Sequence, residues 1–248
     1  MATTTIALLG LVALVAGFVD SIAGGGGLLC LPALLLAGLD PVAALATNKL
    51  QGSFGTASAT FAFWRKGLIN PQRLWPTVAM TFIGAALGVA AITYAPTQLL
   101  KLIMPPLLII IASYFAFAPK FSNGAKSPRL PSRAFAFFFG PVIGFYDGIF
   151  GPGTGAFFML TLTSLFGLGV VEATGRTKLF NFASNVAALL MFVIAGKPVL
   201  LIGLVMGGGQ FIGAQIGAHM AIRNGSAIIR PLLVIVCLAM AAKLMFAS

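Results

Sequence analysis

Two lysines in apolar surroundings carry the chemistry this sequence could perform. Lys49 lies in Ala46-Thr47-Asn48-Lys49-Leu50-Gln51, and Lys178 in Gly175-Arg176-Thr177-Lys178-Leu179-Phe180-Asn181. A fixed positive charge beside hydroxyl and carboxamide groups suits a small anion. Lys178, Asn181 and Asn185 follow at i, i+3 and i+7 and so share one helical face. The equivalent first-half residues are Lys49, Gly52 and Thr56, which would set a polar face against a small-residue face. A lysine on an apolar helix can instead snorkel to the interface. The paired positions, each with polar neighbours, favour anion coordination.

Two acids stand beside glycine-rich breaks. Asp20 lies in Gly17-Phe18-Val19-Asp20-Ser21-Ile22-Ala23-Gly24-Gly25-Gly26-Gly27, and Asp147 in Gly144-Phe145-Tyr146-Asp147-Gly148-Ile149-Phe150-Gly151-Pro152-Gly153-Thr154-Gly155. A charge at the centre of a spanning helix costs about 2.5–3.5 kcal/mol, so such acids need a purpose. Two purposes fit: proton uptake in a watery cavity, or bonding the amides that a broken helix leaves unpaired. A break also turns free amides and the positive end of a helix dipole toward an anion. The candidate substrate-binding set is therefore Asn48, Lys49, Gln51, Thr177, Lys178, Asn181, Asn185, Gly25, Gly26, Gly153 and Thr154. Asp20 and Asp147 serve for proton coupling or for bracing the breaks.

The remaining polar residues exclude other chemistries. Asp40, followed by Pro41, reads as an N-cap, and Glu172 lies near the equivalent helix start. No Lys-Ser or Lys-Thr follows Gly24 to Gly27, so the glycine run is no nucleotide loop, and nothing supports a Rossmann site. Cys30 and Cys237 lie in apolar context, which supports neither a disulfide nor a metal site. His219 has no counterpart, because Ala90 takes its place in the other half, and it reads as structural or interfacial. No catalytic residue, metal or cofactor is expected.

The elements that must position these residues are membrane helices. Hydrophobic residues make up 59% of the 248 and charged residues 8%, against about a quarter charged in soluble domains, and the mean hydropathy is +1.05. The apolar stretches have helical length, and barrel-type alternation is absent. The expected fold is an all-α polytopic membrane protein in contact with the lipid bilayer. The net charge of +11 is spread between apolar segments, which reads as the positive-inside bias rather than nucleic-acid binding. No Lys or Arg precedes the apolar stretch from Ile6 to Val19, which is expected to be permanent structure rather than a signal peptide. The sequence carries no signature of oligomeric state.

An internal duplication orders the chain. Gly17/Gly144, Phe18/Phe145, Asp20/Asp147, Ile22/Ile149, Gly24/Gly151 and Gly26/Gly153 recur at an offset of 127. From Gly38/Gly167 onward the offset is 129, through Lys49/Lys178 and Phe63/Phe192 to Phe82-Ile83-Gly84-Ala85-x-x-Gly88 and Phe211-Ile212-Gly213-Ala214-x-x-Gly217. The expected division is a first repeat at 1–118, a basic linker at 119–133 and a second repeat at 134–248. In the first repeat a helix from about Thr4 to Ala23 precedes a short helix from about Leu28 to Leu36, a long helix from Pro41 to near Trp64, and spans from about Trp75 to Tyr94 and Leu99 to Phe117. In the second repeat the counterpart of the apolar stretch from Ile6 to Val19 is Ala134 to Gly144. Each repeat thus has about four spanning helices. The short helix is re-entrant or forms an interrupted crossing with its predecessor. The glycine spacings at Gly84/Gly88 and Gly213/Gly217 read as close helix packing.

Charge asymmetry weighs the symmetry. With an odd number of crossings per half, Arg65, Lys66, Arg73, the linker charges, Arg176, Lys178, Arg223 and Arg230 share one side, against Lys49, Lys101, Lys197 and Lys243. That favours an inverted repeat over a parallel one. Lys49, Arg176 and Lys178 are also candidates for burial in the site, which weakens the count.

The two glycine breaks, Ala46-Thr47-Asn48-Lys49-Leu50, and Thr177-Lys178-Leu179-Phe180-Asn181 followed by Ser184-Asn185 resemble the TauE/SafE family of sulfite exporters over nearly the whole chain. The resemblance implies export, or in some relatives uptake, of sulfite, sulfonates such as sulfoacetate, or other organosulfur anions across the bacterial inner membrane. Sulfur specificity comes from that resemblance alone. The expected function is a non-enzymatic, ion-gradient-driven secondary transporter working by alternating access, since no ATP-binding motif is present. A passive anion channel or membrane scaffold is the alternative. An intramembrane aspartyl protease is a remote one, because Tyr146-Asp147 lacks its Gly-x-Gly-Asp partner.

Overall fold

The computed structural model describes residues 2–94, 127 and 129–224, with residues 96, 98, 102 and 106. Most of the expected span from Leu99 to Phe117 and of the linker, and everything after Asn224, lie outside the described residues. Cys237 and the charges Lys101, Lys120, Lys126, Arg230 and Lys243 are among them.

The described elements are all helical: α1 Thr3–Ala23, α2 Gly26–Leu36, α3 Pro41–Arg65, α4 Pro71–Thr93, α5 at 132–149, α6 Thr154–Ser164, α7 Val170–Ile194 and α8 Leu200–Asn224. Stretches within α1, α4, α7 and α8 are long and apolar enough to cross a membrane. Leu8 and Leu11 on α1, Leu87 on α4, and Leu204 and Ile212 on α8 face outward, as a bundle in contact with lipid acyl chains requires. α3 matches α7 at 25 residues, but its buried face carries Asn48, Lys49, Gln51, Ser53, Thr56 and Ser58. A helix this polar is sheltered by its neighbours rather than by lipid.

Local sequence explains where the helices stop. α1 ends because Gly24 turns left-handed, with φ +82°, and its N–H returns to the Asp20 carbonyl at 2.8 Å. α2 resumes at Gly26, two residues earlier than expected. The second break uses two left-handed glycines, Gly151 at φ +95° and Gly153 at +85°. α5 starts at Ser132 and runs through the apolar stretch Ala134 to Gly144 as far as Ile149. Its stretch Phe135–Phe139 is a π-helix, where the Gly140 N–H bonds back to the Phe135 carbonyl. The following Pro141 has no N–H for an α-helical bond. Asp40 caps α3 by accepting from the Val42 and Ala43 amides at 3.1 Å each. α7 starts instead at Gly169 without a side-chain cap, and Glu172 sits in its first turn.

α2 and α6 have 11 residues each, about 16 Å at 1.5 Å per residue, half of a hydrocarbon core of about 30 Å. Neither spans alone. α2 folds back against α1 so closely that a Cβ on Gly26 would lie 2.7 Å from Asp20 Cβ and 2.9 Å from the Ala16 carbonyl oxygen.

The tightest packing is made twice. A Cβ on Gly213 or Gly217 of α8 would strike the carbonyl of Leu14 or Phe18 of α1. Their equivalents Gly84 and Gly88 of α4 meet the carbonyls of Pro141 and Phe145 of α5 in the same way. Small residues let these backbones touch, so dispersion replaces the hydrophobic drive that lipid cannot supply. The register fixes direction: α1 runs parallel to α8, and α4 to α5. Gly203 of α8 meets Leu50 of α3 and Gly207 meets Phe54, so α3 and α8 are parallel. Gly52 of α3 meets Asn185 of α7, whereas Gly175 meets Phe63, so α3 and α7 are antiparallel.

Candidate functional site

Both lysines are fully interior, each 1% exposed, which rules out snorkelling. Each pairs with the break aspartate of the other half. Lys49 Nζ lies 2.8 Å from Asp147 Oδ2, and Lys178 Nζ lies 3.1 Å from Asp20 Oδ2. Crossing the pairs in this way ties α3 to the end of α5, and α7 to the end of α1.

The two pairs differ in how fully they are satisfied. Lys178 also donates to the Asp20 carbonyl, and Asp20 Oδ1 accepts the Gly26 amide at 3.1 Å. That carboxylate therefore spans the first break, joining the last turn of α1 to the first turn of α2. Asp147 Oδ1 accepts the Thr154 hydroxyl at 2.7 Å, which spans the second break. The Tyr146 hydroxyl, donating to the Pro152 carbonyl at 2.5 Å, closes the same loop. Lys49 meets Asp147 Oδ2 as an ion pair, and its ammonium has no second partner among the described residues. Gly151 permits the approach, since a Cβ there would lie 2.7 Å from Lys49 Nζ.

The Lys49 ammonium faces a polar cavity of ≈ 30 Å³, room for about two waters. Asp20, Asn48, Lys49, Gln51 and Thr56 line it from the first half, with Asp147, Asn181, Asn185 and Gln210 from the second. Gly24, Gly27, Gly52, Gly151, Gly153 and Gly155 complete the wall, where absent side chains make the space. Of the expected binding residues, Asn48, Lys49, Gln51, Asn181, Asn185 and Gly153 line this cavity, as do both aspartates. Gly25, Gly26, Thr154, Thr177 and Lys178 do not: the Gly26 amide is taken by Asp20, the Thr154 hydroxyl by Asp147 and the Gly151 carbonyl, and Lys178 by Asp20.

A chain of amides points donors inward. The Cys30 thiol donates to Gln51 Oε1 at 3.6 Å, and Gln51 Nε2 donates to Asn48 Oδ1 at 2.8 Å. Asn48 is left with its NH₂ toward Gly27 at the wall. Cys30 thus sits among carboxamides, with Gln210 Oε1 at 3.9 Å, and not in the apolar context its sequence neighbours suggest. The Asn181 carboxamide oxygen is buried and unpartnered, open to a donor from an occupant. Arg176 stays outside: it is partly exposed and bound to Glu172 at 2.6 Å, one helical turn away. Sequence reasoning missed Gln210, whose only signal was a lone carboxamide after Gly207-Gly208-Gly209.

The comparisons with known proteins agree with a transporter. The family model described as "Sulfite exporter TauE/SafE" matches residues 9–244. A probable membrane transporter protein of a Sinorhizobium species is 48% identical over 240 residues, covering 97% of this chain and 92% of its own. The probable membrane transporter protein YfcA of Escherichia coli K12 is 43% identical over 237 residues, 96% of this chain and 88% of its own. A probable membrane transporter protein of Haemophilus influenzae is 39% identical over 241 residues, 97% of this chain and 94% of its own. No solved structure matches. The chain belongs to the TauE/SafE family and is a multi-pass transporter of the bacterial inner membrane, not an enzyme.

Proposed function

We propose that this transporter carries a small sulfur-containing anion, sulfite or a short organosulfonate, outward across the membrane, holding it in the polar cavity between the helix breaks. The observation that carries this reading is Lys49, a buried ammonium on that cavity whose one partner among the described residues is Asp147. Asn48, Asn185 and Gln210 add carboxamide donors suited to a compact oxyanion. The sulfur preference and the outward direction rest on the family description.

Charge balance supplies a coupling. The empty site is neutral, with two lysines matched by two aspartates. An arriving anion must share Lys49 with Asp147 and leaves the site negative, and a proton on Asp147 restores neutrality. Proton and anion then move together as a neutral pair, and outward movement runs down the anion's own gradient, since an inward proton gradient opposes it. Lys178 and Asp20 brace the first break throughout.

We also read residues 1–118 and 134–248 as repeats of inverted topology joined by a linker at 119–133. The opposed directions of α3 and α7 and the doubled glycine contacts support this. So do the charges, because Arg65, Arg73, Arg133, Arg176 and Arg223 gather at one end of the helices while Lys197 and Asp40 lie at the other. The arginine-rich end is cytoplasmic by the positive-inside rule. Alternating access would rock one repeat against the other about the cavity.

The substrate is tested by thermal shift of the purified protein with sulfite, thiosulfate, sulfoacetate, taurine and acetate. Sulfite should stabilise most and acetate least. Equal stabilisation by acetate, or none by any sulfur anion, would overturn the substrate assignment.

A further inference from the structure

We infer that a second chamber, beneath the first turns of α4, α5 and α7, binds an anionic phospholipid. Arg73 and Arg133 would hold the phosphate, and an acyl chain would lie against Trp75, Phe135 and Phe166. The chamber measures ≈ 590 Å³, within the range of about 300–1,000 Å³ typical of small-molecule sites. Neither the coupling scheme nor the transported anion uses it.

Charge identifies the head group. Arg73, Arg133 and Arg176 all line the chamber, and only Arg176 has a carboxylate, that of Glu172. The whole chain contains four acidic residues, and every one is engaged elsewhere. Asp20 and Asp147 hold the buried lysines, Asp40 caps α3 and Glu172 holds Arg176. No Asp or Glu from any other part of the chain, described or not, is left to neutralise Arg73 and Arg133. Both side chains are exposed and so open to an anion from outside the chain.

Apolar surface identifies the rest of the ligand. Phe135 and Phe166 meet edge to face at 5.0 Å, and Phe180 closes the wall at 5.4 Å from Phe135. A free inorganic anion would use only the arginines, and a neutral lipid only the aromatic wall. An anionic phospholipid uses both, as basic pockets between membrane helices do at the cytoplasmic face. Phe180 precedes Asn181 of the polar cavity, so this lipid braces the helix that carries the second half of the transport site.

The chain has two tryptophans, so Trp64→Phe leaves Trp75 as the sole reporter. In nanodiscs, brominated phosphatidylglycerol should quench Trp75 at about thirtyfold lower mole fraction than brominated phosphatidylcholine, two arginines each contributing about 1 kcal/mol near the membrane surface. Excess inorganic phosphate should leave that preference intact. Arg73→Gln with Arg133→Gln should abolish it, while Arg73→Lys with Arg133→Lys should keep most of it. Equal quenching by both lipids, a preference that survives the glutamine pair, or displacement by phosphate would each overturn the proposal. If the glutamine pair fails to fold, the lipid comparison in Trp64→Phe decides alone.

Discussion

Lys178→Met should destabilise this protein strongly, because it strands a buried carboxylate. Lys178 and Asp20 lie 3.1 Å apart, where an effective dielectric of about 20 gives an attraction of about 5 kcal/mol. Removing one member of a buried pair generally costs about 3–5 kcal/mol, because the other is left charged and unpaired. Asp20 is 6% exposed and would keep only the Gly26 amide, so the upper half of that range applies. Adding Asp20→Asn removes the stranded charge and should recover more than half of the loss. Lys49→Met should cost a similar amount, since Asp147, 2% exposed, would keep only the Thr154 hydroxyl. The assay is unfolding of the wild-type protein and these three variants by SDS titration in mixed micelles. A double variant Asp20→Asn/Lys178→Met no more stable than Lys178→Met alone would refute the claim that this pair acts as a unit.

Two further outcomes follow from the helix packing. Gly213→Ala forces a Cβ into the Leu14 carbonyl and should cost about 1–3 kcal/mol, whereas Gly169→Ala, which meets nothing within 4 Å, should stay within about 0.5 kcal/mol in the same titration. Cysteines placed at Lys197 and Arg223, at opposite ends of α8, should react with membrane-impermeant maleimide from opposite faces of the membrane, with Arg223 cytoplasmic; labelling from one face only would remove the proposed orientation.

Much of the site was legible because its residues are rare types in an apolar background. Both lysines, both aspartates and the carboxamides Asn48, Gln51, Asn181 and Asn185 stood out from sequence alone, and all eight but Lys178 line one cavity. The pairing was not legible. The duplication aligns Asp20 with Asp147 and Lys49 with Lys178, but contact runs across the halves, from α1 to α7 and from α3 to α5. Gln210 escaped notice because its counterpart, Thr81, lies against Gly144 of α5 and does not line the cavity. Cys30 looked apolar because its sequence neighbours are leucines, while its partners come from α3 and α8. The start of α2 was misjudged by two residues because Gly26, a poor helix former, is held in the first turn by Asp20.

The central claim is that Lys49 binds the transported anion and Lys178 does not. Counterflow of radiolabelled sulfite into sulfite-loaded proteoliposomes separates these roles. Wild-type protein should accumulate label transiently above equilibrium, and Lys49→Gln should lose at least about tenfold of that flux, the scale of one charge-assisted hydrogen bond to a bound anion. The variant Asp20→Asn/Lys178→Gln, neutral at its own pair, should retain measurable counterflow. Wild-type flux in Lys49→Gln, or no sulfite counterflow by the wild-type protein, would contradict it.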